Sequence, residues 1–146
     1  MKLALLMTLL VFLEAGWPWG GVAVDVAVEG TLTCAHDFYA KVFLREIDDG
    51  FPADKVGKPQ IILPKAGQHS ATYKVSGKAH DPVGWEVEPR LIIEHTCGGA
   101  AQFLCKAFGG VKEDFHATVN VDLLKNDLEK CDKDFTKWTK TDLGDK

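Results

Sequence analysis

Val22-Ala-Val-Asp-Val-Ala-Val-Glu-Gly-Thr-Leu-Thr-Cys34 is the stretch that decides the fold of this chain. Its even positions are all apolar or small, whereas its odd positions include Asp25, Glu29 and two threonines. Strict alternation sends one set of side chains into a core and the other into water, as a half-buried β-strand requires. We therefore predict a long β-strand with one buried face.

Six further runs with strand character follow this segment, and Gly-, Pro- and Asp-rich turns separate them. They are residues 39–47, 58–63, 70–75, 85–95, 102–108 and 115–123. The run 58–63 contains a short apolar piece between Pro59 and Pro64, which favours an edge strand or an extended loop, because proline cannot donate a ladder hydrogen bond. Seven short strands divided by turns predict an all-β fold, an antiparallel β-sandwich.

The first residues have the pattern of a signal peptide. Lys2 precedes an uncharged apolar run, residues 3–13, which is too short to span a bilayer that needs about 20 apolar residues. We assign residues 1–20 to a signal peptide, with cleavage between residues 15 and 23, and residues 21–124 to one sandwich domain. The prediction is a secreted, extracellular protein without a transmembrane segment.

Residues 125–146 differ in composition from the strands before them. Twelve of these 22 residues are charged, with six lysines and six acids. Leu124, Leu128 and Cys131 have the i, i+4, i+7 spacing of a short amphipathic helix. We therefore predict a charged C-terminal extension that begins with a short helix.

The charge of the chain argues against a nucleic-acid partner. The formal net charge is −4, whereas a nucleic-acid-binding domain needs a basic face. Among the cysteines and histidines, only His95-x-Cys97 has a spacing that would allow two side chains to bind one metal ion, and a zinc motif needs more ligands than this pair. We predict no cofactor and no metal ion.

Four cysteines behind a secretory leader predict structural disulfides. Four thiols allow three pairings. Cys97 and Cys105 bracket a Gly-Gly turn at the end of strong strands, so a local bridge between them is favoured. That choice leaves Cys34 to pair with Cys131, which would tie the first strand to the last segment.

Several motifs resemble the nematode transthyretin-like family. Gly30-Thr-Leu-Thr-Cys34 is similar to its G-x-L-x-C strand, and Val42 to Asp48 is similar to V-x-L-x-x-x-D. Gly67 to Gly77 loosely matches D-G-x-F-x-x-x-G, and Pro89-Arg-Leu-Ile-Ile-Glu-His-Thr-Cys97 matches P-x-L-x-I-x-H-x-C. The residues after Cys105 and the charged tail depart from the family's pattern.

The resemblance implies a secreted transthyretin-like sandwich of seven or eight strands, located at cell surfaces or released toward a host. Such a protein would act as a non-catalytic binding or interaction protein. Its partner would be an extracellular protein, a lipid or a small apolar ligand. Three alternatives remain open: a carrier of a small apolar molecule, a hydrolase that uses His95 with another histidine and a lysine, and an inert structural or inhibitory protein whose charged tail makes the contact.

The candidate binding residues are two aromatic side chains on loops. Phe51 precedes a proline in one loop, and Trp85 follows Pro82-Val-Gly in another. Exposed aromatic residues on sandwich loops would form a binding surface, but Trp85 is equally compatible with a role in capping the core. No catalytic residue is predicted, since His95 is most simply a strand residue whose ring forms hydrogen bonds inside the sandwich.

Overall fold

A computed structural model describes residues 21–47, 53–125 and 127–131 of the 146-residue chain. Within these residues the protein is all β and forms two sheets that face each other. The strands are β1 (Val22–Thr33), β2 (Ala40–Glu46), β3 (Asp54–Ile62), β4 (Ser70–Asp81), β5 (Pro89–His95), β6 (Gln102–Ala107), β7 (Phe115–Thr118), β8 (Val121–Asp122) and β9 (Glu129–Lys130). The predicted sandwich class is confirmed. The predicted signal peptide lies outside the described residues.

Sheet A has the order β4-β1-β7, and β8 also pairs with β1. The β1–β4 pair is antiparallel and continuous from Val22, opposite Asp81, to Thr33, opposite Ser70. In contrast, β7 and β8 run parallel to β1. The sandwich is therefore not purely antiparallel, because β7 and β8 follow the direction of β1, from Phe115 opposite Val26 to Asp122 opposite Thr33.

Sheet B has the order β3-β2-β5-β6-β9, and all of its pairs are antiparallel. The edge strand β3 is longer than the predicted segment, and its register against β2 shifts between Val42 and Leu44. Gly57, Lys58 and Pro59 occupy this bulge, with Gly57 at a φ of 70°. A glycine suits this left-handed conformation, and the bulge gives Pro59 a position outside the ladder.

The core between the sheets follows the predicted alternation. Val24, Val26, Val28 and Leu32 of β1 are all buried. They pack against inward side chains of the opposite sheet, among them Val42, Leu44, Leu91, Ile93 and Leu104. Burial of these aliphatic side chains is the main stabilising contribution to such a domain.

A second, smaller apolar cluster lies on the outer face of sheet B. Phe43, Ile92 and Cys105 are buried there, and Phe103 and Cys131 pack against them. The prediction of a short helix at the start of the C-terminal extension was wrong, because Glu129–Lys130 forms strand β9, which pairs with β6. Pairing with the edge of β6 satisfies backbone groups that a short isolated helix would leave to water. Residues 126 and 132–146 lie outside the described part.

The cysteines form two disulfides, but the favoured pairing was wrong. Cys34 is bonded to Cys97, and Cys105 is bonded to Cys131, with Cα–Cα distances of 6.0 and 5.1 Å. Cys97 belongs to the core between the sheets, whereas Cys105 belongs to the outer cluster of sheet B. The two side chains point to opposite faces of the sheet, so closeness in sequence does not let them pair.

Candidate functional site

The loop that joins β4 to β5 carries the exposed aromatic residue that the sequence singled out. Its first turn is built by Asp81, whose Oδ1 accepts hydrogen bonds from the amides of Val83 (3.0 Å) and Gly84 (2.7 Å). A side-chain bond of this kind reproduces the geometry of a backbone turn. Gly84 lies against the Asp81 carboxylate, where a Cβ atom would overlap it. The residue types therefore fix the turn locally.

The far side of the same loop is anchored to the sandwich. Val87 and Val111 exchange two backbone hydrogen bonds of 2.8 Å each, and the side chain of Val87 is buried in the core. The Ile47 amide donates a hydrogen bond to the carbonyl of Glu88 at 3.2 Å. The loop is thus held at both ends.

Between these anchors the loop presents apolar side chains to water. Trp85 is 81% exposed and Val83 is 68% exposed. Of the two interpretations left open for Trp85, the structure supports the exposed loop residue, because a core cap would be largely buried. We call Val83 and Trp85 the apolar tip.

The loop that carries the apolar tip is acidic in sequence. Residues 81–88 contain Asp81, Glu86 and Glu88 but no lysine or arginine. The neighbouring Gly110 lies against the Glu86 carboxylate, so a side chain there would overlap it. The tip is therefore an apolar projection within a negatively charged loop.

The second candidate, Phe51, lies outside the described residues. The residues that flank its loop, Ile47 and Asp54, lie at the end of sheet B where Glu46 is opposite Pro89 and Ile47 bonds to Glu88. That is also the end where the Trp85 loop is anchored.

His95 is a core residue with an unusual environment. Its side chain is fully buried, and neither ring nitrogen has a hydrogen-bond partner among the described residues. The expectation that its ring forms hydrogen bonds within the sandwich was therefore wrong. Burial lowers the pKa of His95 below its ordinary value, because the charged imidazolium loses its hydration.

The remaining histidines are not gathered around His95. His69 Nε2 lies 3.8 Å from a carboxylate oxygen of Asp37, in the loops at the end opposite the apolar tip. His116 lies on the outer face of sheet A, 3.3 Å from Glu29. Both of these side chains are exposed, whereas His95 faces the core, so the fold distributes these histidines over separate surfaces.

A feature that the sequence reasoning missed lies on the outer face of sheet A. The small residues Ala27 and Ser76 are cross-strand partners there, and His116 is the partner of Ala27 on its other side. They form the floor of a concavity of about 380 Å³. The alternation within β1 and β4 predicts a polar outer face. No local pattern indicates that β7 pairs in parallel with β1, which is what places His116 beside Ala27.

The fold and this surface define a class: a two-sheet β-sandwich with two disulfides and an apolar tip on a loop that is anchored at both ends. No family model, curated protein or solved structure matches the chain. In the described residues, no group of three or more His, Cys, Asp or Glu side chains is arranged to hold a metal ion. The same part of the chain contains no helix long and apolar enough to cross a membrane.

Proposed function

We propose that this protein is a secreted extracellular binding domain of the transthyretin-like type, and that it acts without catalysis. The apolar tip would be its contact with a partner protein. Rigid scaffolds commonly carry their function on loops, and tryptophan is over-represented among residues that dominate binding energy. The observation that carries the proposal is the exposure of Trp85 and Val83 on a loop that is fixed at both ends.

Two features of the chain support an extracellular location. Both disulfides would persist in an oxidising compartment and would be reduced in the cytosol. The strand motifs that resemble the transthyretin-like family, including His95-x-Cys97, also favour a secreted protein.

The charge around the tip narrows the kind of partner. An apolar contact surrounded by Asp81, Glu86 and Glu88 is complementary to an apolar recess with a basic rim. The same acidic residues disfavour an anionic membrane surface. A protein partner is therefore a better match than an anionic lipid bilayer.

The carrier and the hydrolase receive less support than a binding domain. A carrier needs an apolar concavity, whereas the space between the sheets is filled by core side chains and the concavity on sheet A has a charged rim. A hydrolase that uses His95 needs a substrate to reach its ring, yet that side chain is fully buried.

Site-specific photo-crosslinking tests the proposal. A benzophenone amino acid replaces Val83 in the full chain, and the matched control places it at Leu63, which is 73% exposed at the other end of the sandwich. We expect extracellular extract of the source organism to yield one protein that crosslinks at position 83 and not at position 63. Excess unlabelled protein should suppress that crosslink.

The purified partner then allows a quantitative comparison. Trp85→Ala should weaken binding at least about tenfold, which corresponds to about 1.4 kcal/mol, and Leu63→Ala should leave the affinity unchanged. The free energy of unfolding of Trp85→Ala should stay within about 0.5 kcal/mol of the parent, as for other surface substitutions. Unchanged affinity of Trp85→Ala, or equal crosslinking from both positions, would refute the proposal.

A further inference from the structure

We propose that the concavity on the outer face of sheet A binds a small zwitterion, through a surface separate from the apolar tip. Its ligand would carry a primary ammonium group and a carboxylate or phosphate group a few bonds apart. The floor of the concavity, the distribution of charge around it and the fixed positions of the charged groups support this inference.

The floor of the concavity is made by short side chains. Ala27 lies at its centre, with Ser76 on β4 and His116 on β7 as its cross-strand partners. Two residues away along each strand, in either direction, the outward side chains are larger and charged. They are Asp25 and Glu29 on β1, and Lys74 and Lys78 on β4. Short residues between longer ones produce a trough that crosses the strands.

The charged groups in and beside the concavity are basic on β4 and acidic on β1; of these, Lys78 and Asp25 line the concavity itself. Lys74 and Lys78 both project from β4, on either side of Ser76. The acids project from β1, as Asp25 and Glu29, and from Asp114 just before β7. Neighbouring strands are about 4.8 Å apart, so the basic and acidic groups meet along the β1–β4 pair, with Lys78 opposite Asp25 and Lys74 opposite Glu29.

The acidic groups beside the trough are held in position by contacts with neighbouring strands. Glu29 lies 3.4 Å from Lys74 Nζ and 3.3 Å from His116 Nε2. Asp114 Oδ1 accepts a hydrogen bond of 2.9 Å from the amide of Asp25. A ligand therefore meets groups that are already placed, which reduces the entropic cost of ordering them.

The geometry selects the chemical class of the ligand. An anionic group would lie over Ser76 beside Lys78, where the Ser76 hydroxyl can donate to it. An ammonium group would lie over Ala27, close to Asp25, Asp114 and Glu29. The charges of an α-amino acid are too close together for this spacing, whereas those of a dipeptide or an aminoalkyl phosphate are farther apart. Exposed charge pairs contribute little, so we expect a dissociation constant in the millimolar range.

An NMR titration of the uniformly ¹⁵N-labelled protein at low ionic strength tests this inference. Glycylglycine and phosphoethanolamine are the two probes, and they distinguish a carboxylate ligand from a phosphate ligand. Either probe should shift the amide signals of Ala27, Ser76 and His116 in a saturable manner. N-acetylglycylglycine, which lacks the ammonium group, and glycylglycinamide, which lacks the carboxylate, should not.

Substitutions provide the second part of the test. Lys78→Gln and Asp25→Asn should each raise the dissociation constant at least about fivefold, and Ala27→Leu should fill the trough and abolish the shifts. Lys58→Gln on β3 of sheet B is the matched control and should leave binding unchanged. The inference is overturned if neither probe gives saturable shifts, if a blocked analogue binds as well, or if Lys58→Gln weakens binding as much as Lys78→Gln. Because Trp85 takes no part, failure here leaves the proposed protein contact untouched.

Discussion

Gly57 of β3 and Gly77 of β4 pass so close to each other that neither position has room for a side chain. A Cβ on Gly57 would overlap the Ser76 carbonyl oxygen, and a Cβ on Gly77 would overlap the Gly57 amide. These glycines belong to different sheets, since β3 is the edge of sheet B and β4 is the edge of sheet A. The bulge in β3 brings the two edges together, and the sandwich is joined there by backbone contact.

The Gly77→Ala substitution should destabilise the fold. Its methyl group would push against backbone atoms of β3, which cannot rotate away as a flexible side chain can, so we expect a loss of at least about 2 kcal/mol in the free energy of unfolding. Urea denaturation measures it. Thr72→Ala, an exposed site on the same strand, should change stability by no more than about 0.5 kcal/mol. Equal effects of the two substitutions would contradict the close approach.

The disulfide connectivity can be checked by peptide mapping without reduction. Trypsin leaves Cys97 and Cys105 in one peptide, residues 91–106, so a second cut after Phe103 by chymotrypsin is needed to separate them. We expect the Cys34 peptide to remain attached to the Cys97 peptide, and Cys105 to Cys131. A peptide that links Cys34 to Cys131 would show that the assigned pairing is wrong.

Removal of either disulfide should lower stability, and the longer loop should matter more. The sequence separations are 63 and 26 residues, for which the loop-entropy model gives about 4.3 and about 3.5 kcal/mol. Cys34→Ala with Cys97→Ala should therefore be the more damaging double substitution, and denaturation of each variant measures the loss. Retention of full stability without the Cys34–Cys97 bridge would argue against its assigned role.

Protonation of His95 should make the fold sensitive to acid. Burial lowers its pKa in the folded state, and the other buried titratable side chains directed into this core are Glu46 on β2 and Tyr73 on β4. Above about pH 6.5 the ring is neutral in both states, so it adds no pH dependence. Below that pH the unfolded chain takes up a proton that the folded chain excludes, and stability falls.

The free energy of unfolding should fall between pH 7.5 and pH 5.5 by up to about 1.4 kcal/mol, the most that one histidine protonated only in the unfolded chain can contribute over this range. Chemical denaturation at the two pH values measures it. The loss should disappear in His95→Gln and remain in His80→Gln, which changes an exposed histidine. An identical pH dependence in the parent and in His95→Gln would exclude His95 as the cause.

Tyr73 contributes a buried hydrogen bond between β4 and the connection from β7 to β8. Its hydroxyl donates to the Val119 carbonyl at 2.7 Å, and burial raises its pKa above the ordinary range. Tyr73→Phe should cost about 1–2 kcal/mol, because the carbonyl stays buried without its donor. Tyr39→Phe, at a partly exposed site, is the control for denaturation. In an ultraviolet titration of the folded protein, Tyr73 should not ionise before the protein unfolds.

The alternation of polar and apolar residues predicted the buried side chains correctly where a strand has one solvent-exposed face and one buried face. In β1 the alternation correctly identified Val24, Val26, Val28 and Leu32 as core residues. It was less informative for β2, where Phe43 points away from the main core but is still buried beneath the segment that carries Cys131. The boundary at Trp85 was also misplaced, since β5 begins at Pro89 and the loop before it is held by Asp81.

The candidate site was found only in part from the sequence. Trp85 was recognised as a candidate, but its exposure depends on whether neighbouring loops cover it, and that is a property of the packed molecule. The trough on sheet A could not be anticipated, because it needs Ala27 placed between Ser76 and His116, which are 40 residues apart in the chain.

The all-β class, the inward face of β1 and the presence of paired cysteines could be read from residue type and spacing over a few positions. The bond between Cys34 and Cys97, the parallel pairing of β7 with β1 and the strand at Glu129 became evident only from the folded molecule. The physical reason is that these depend on which faces and edges meet after the two sheets pack. Contacts between residues distant in the chain carry that information, and no local periodicity encodes it.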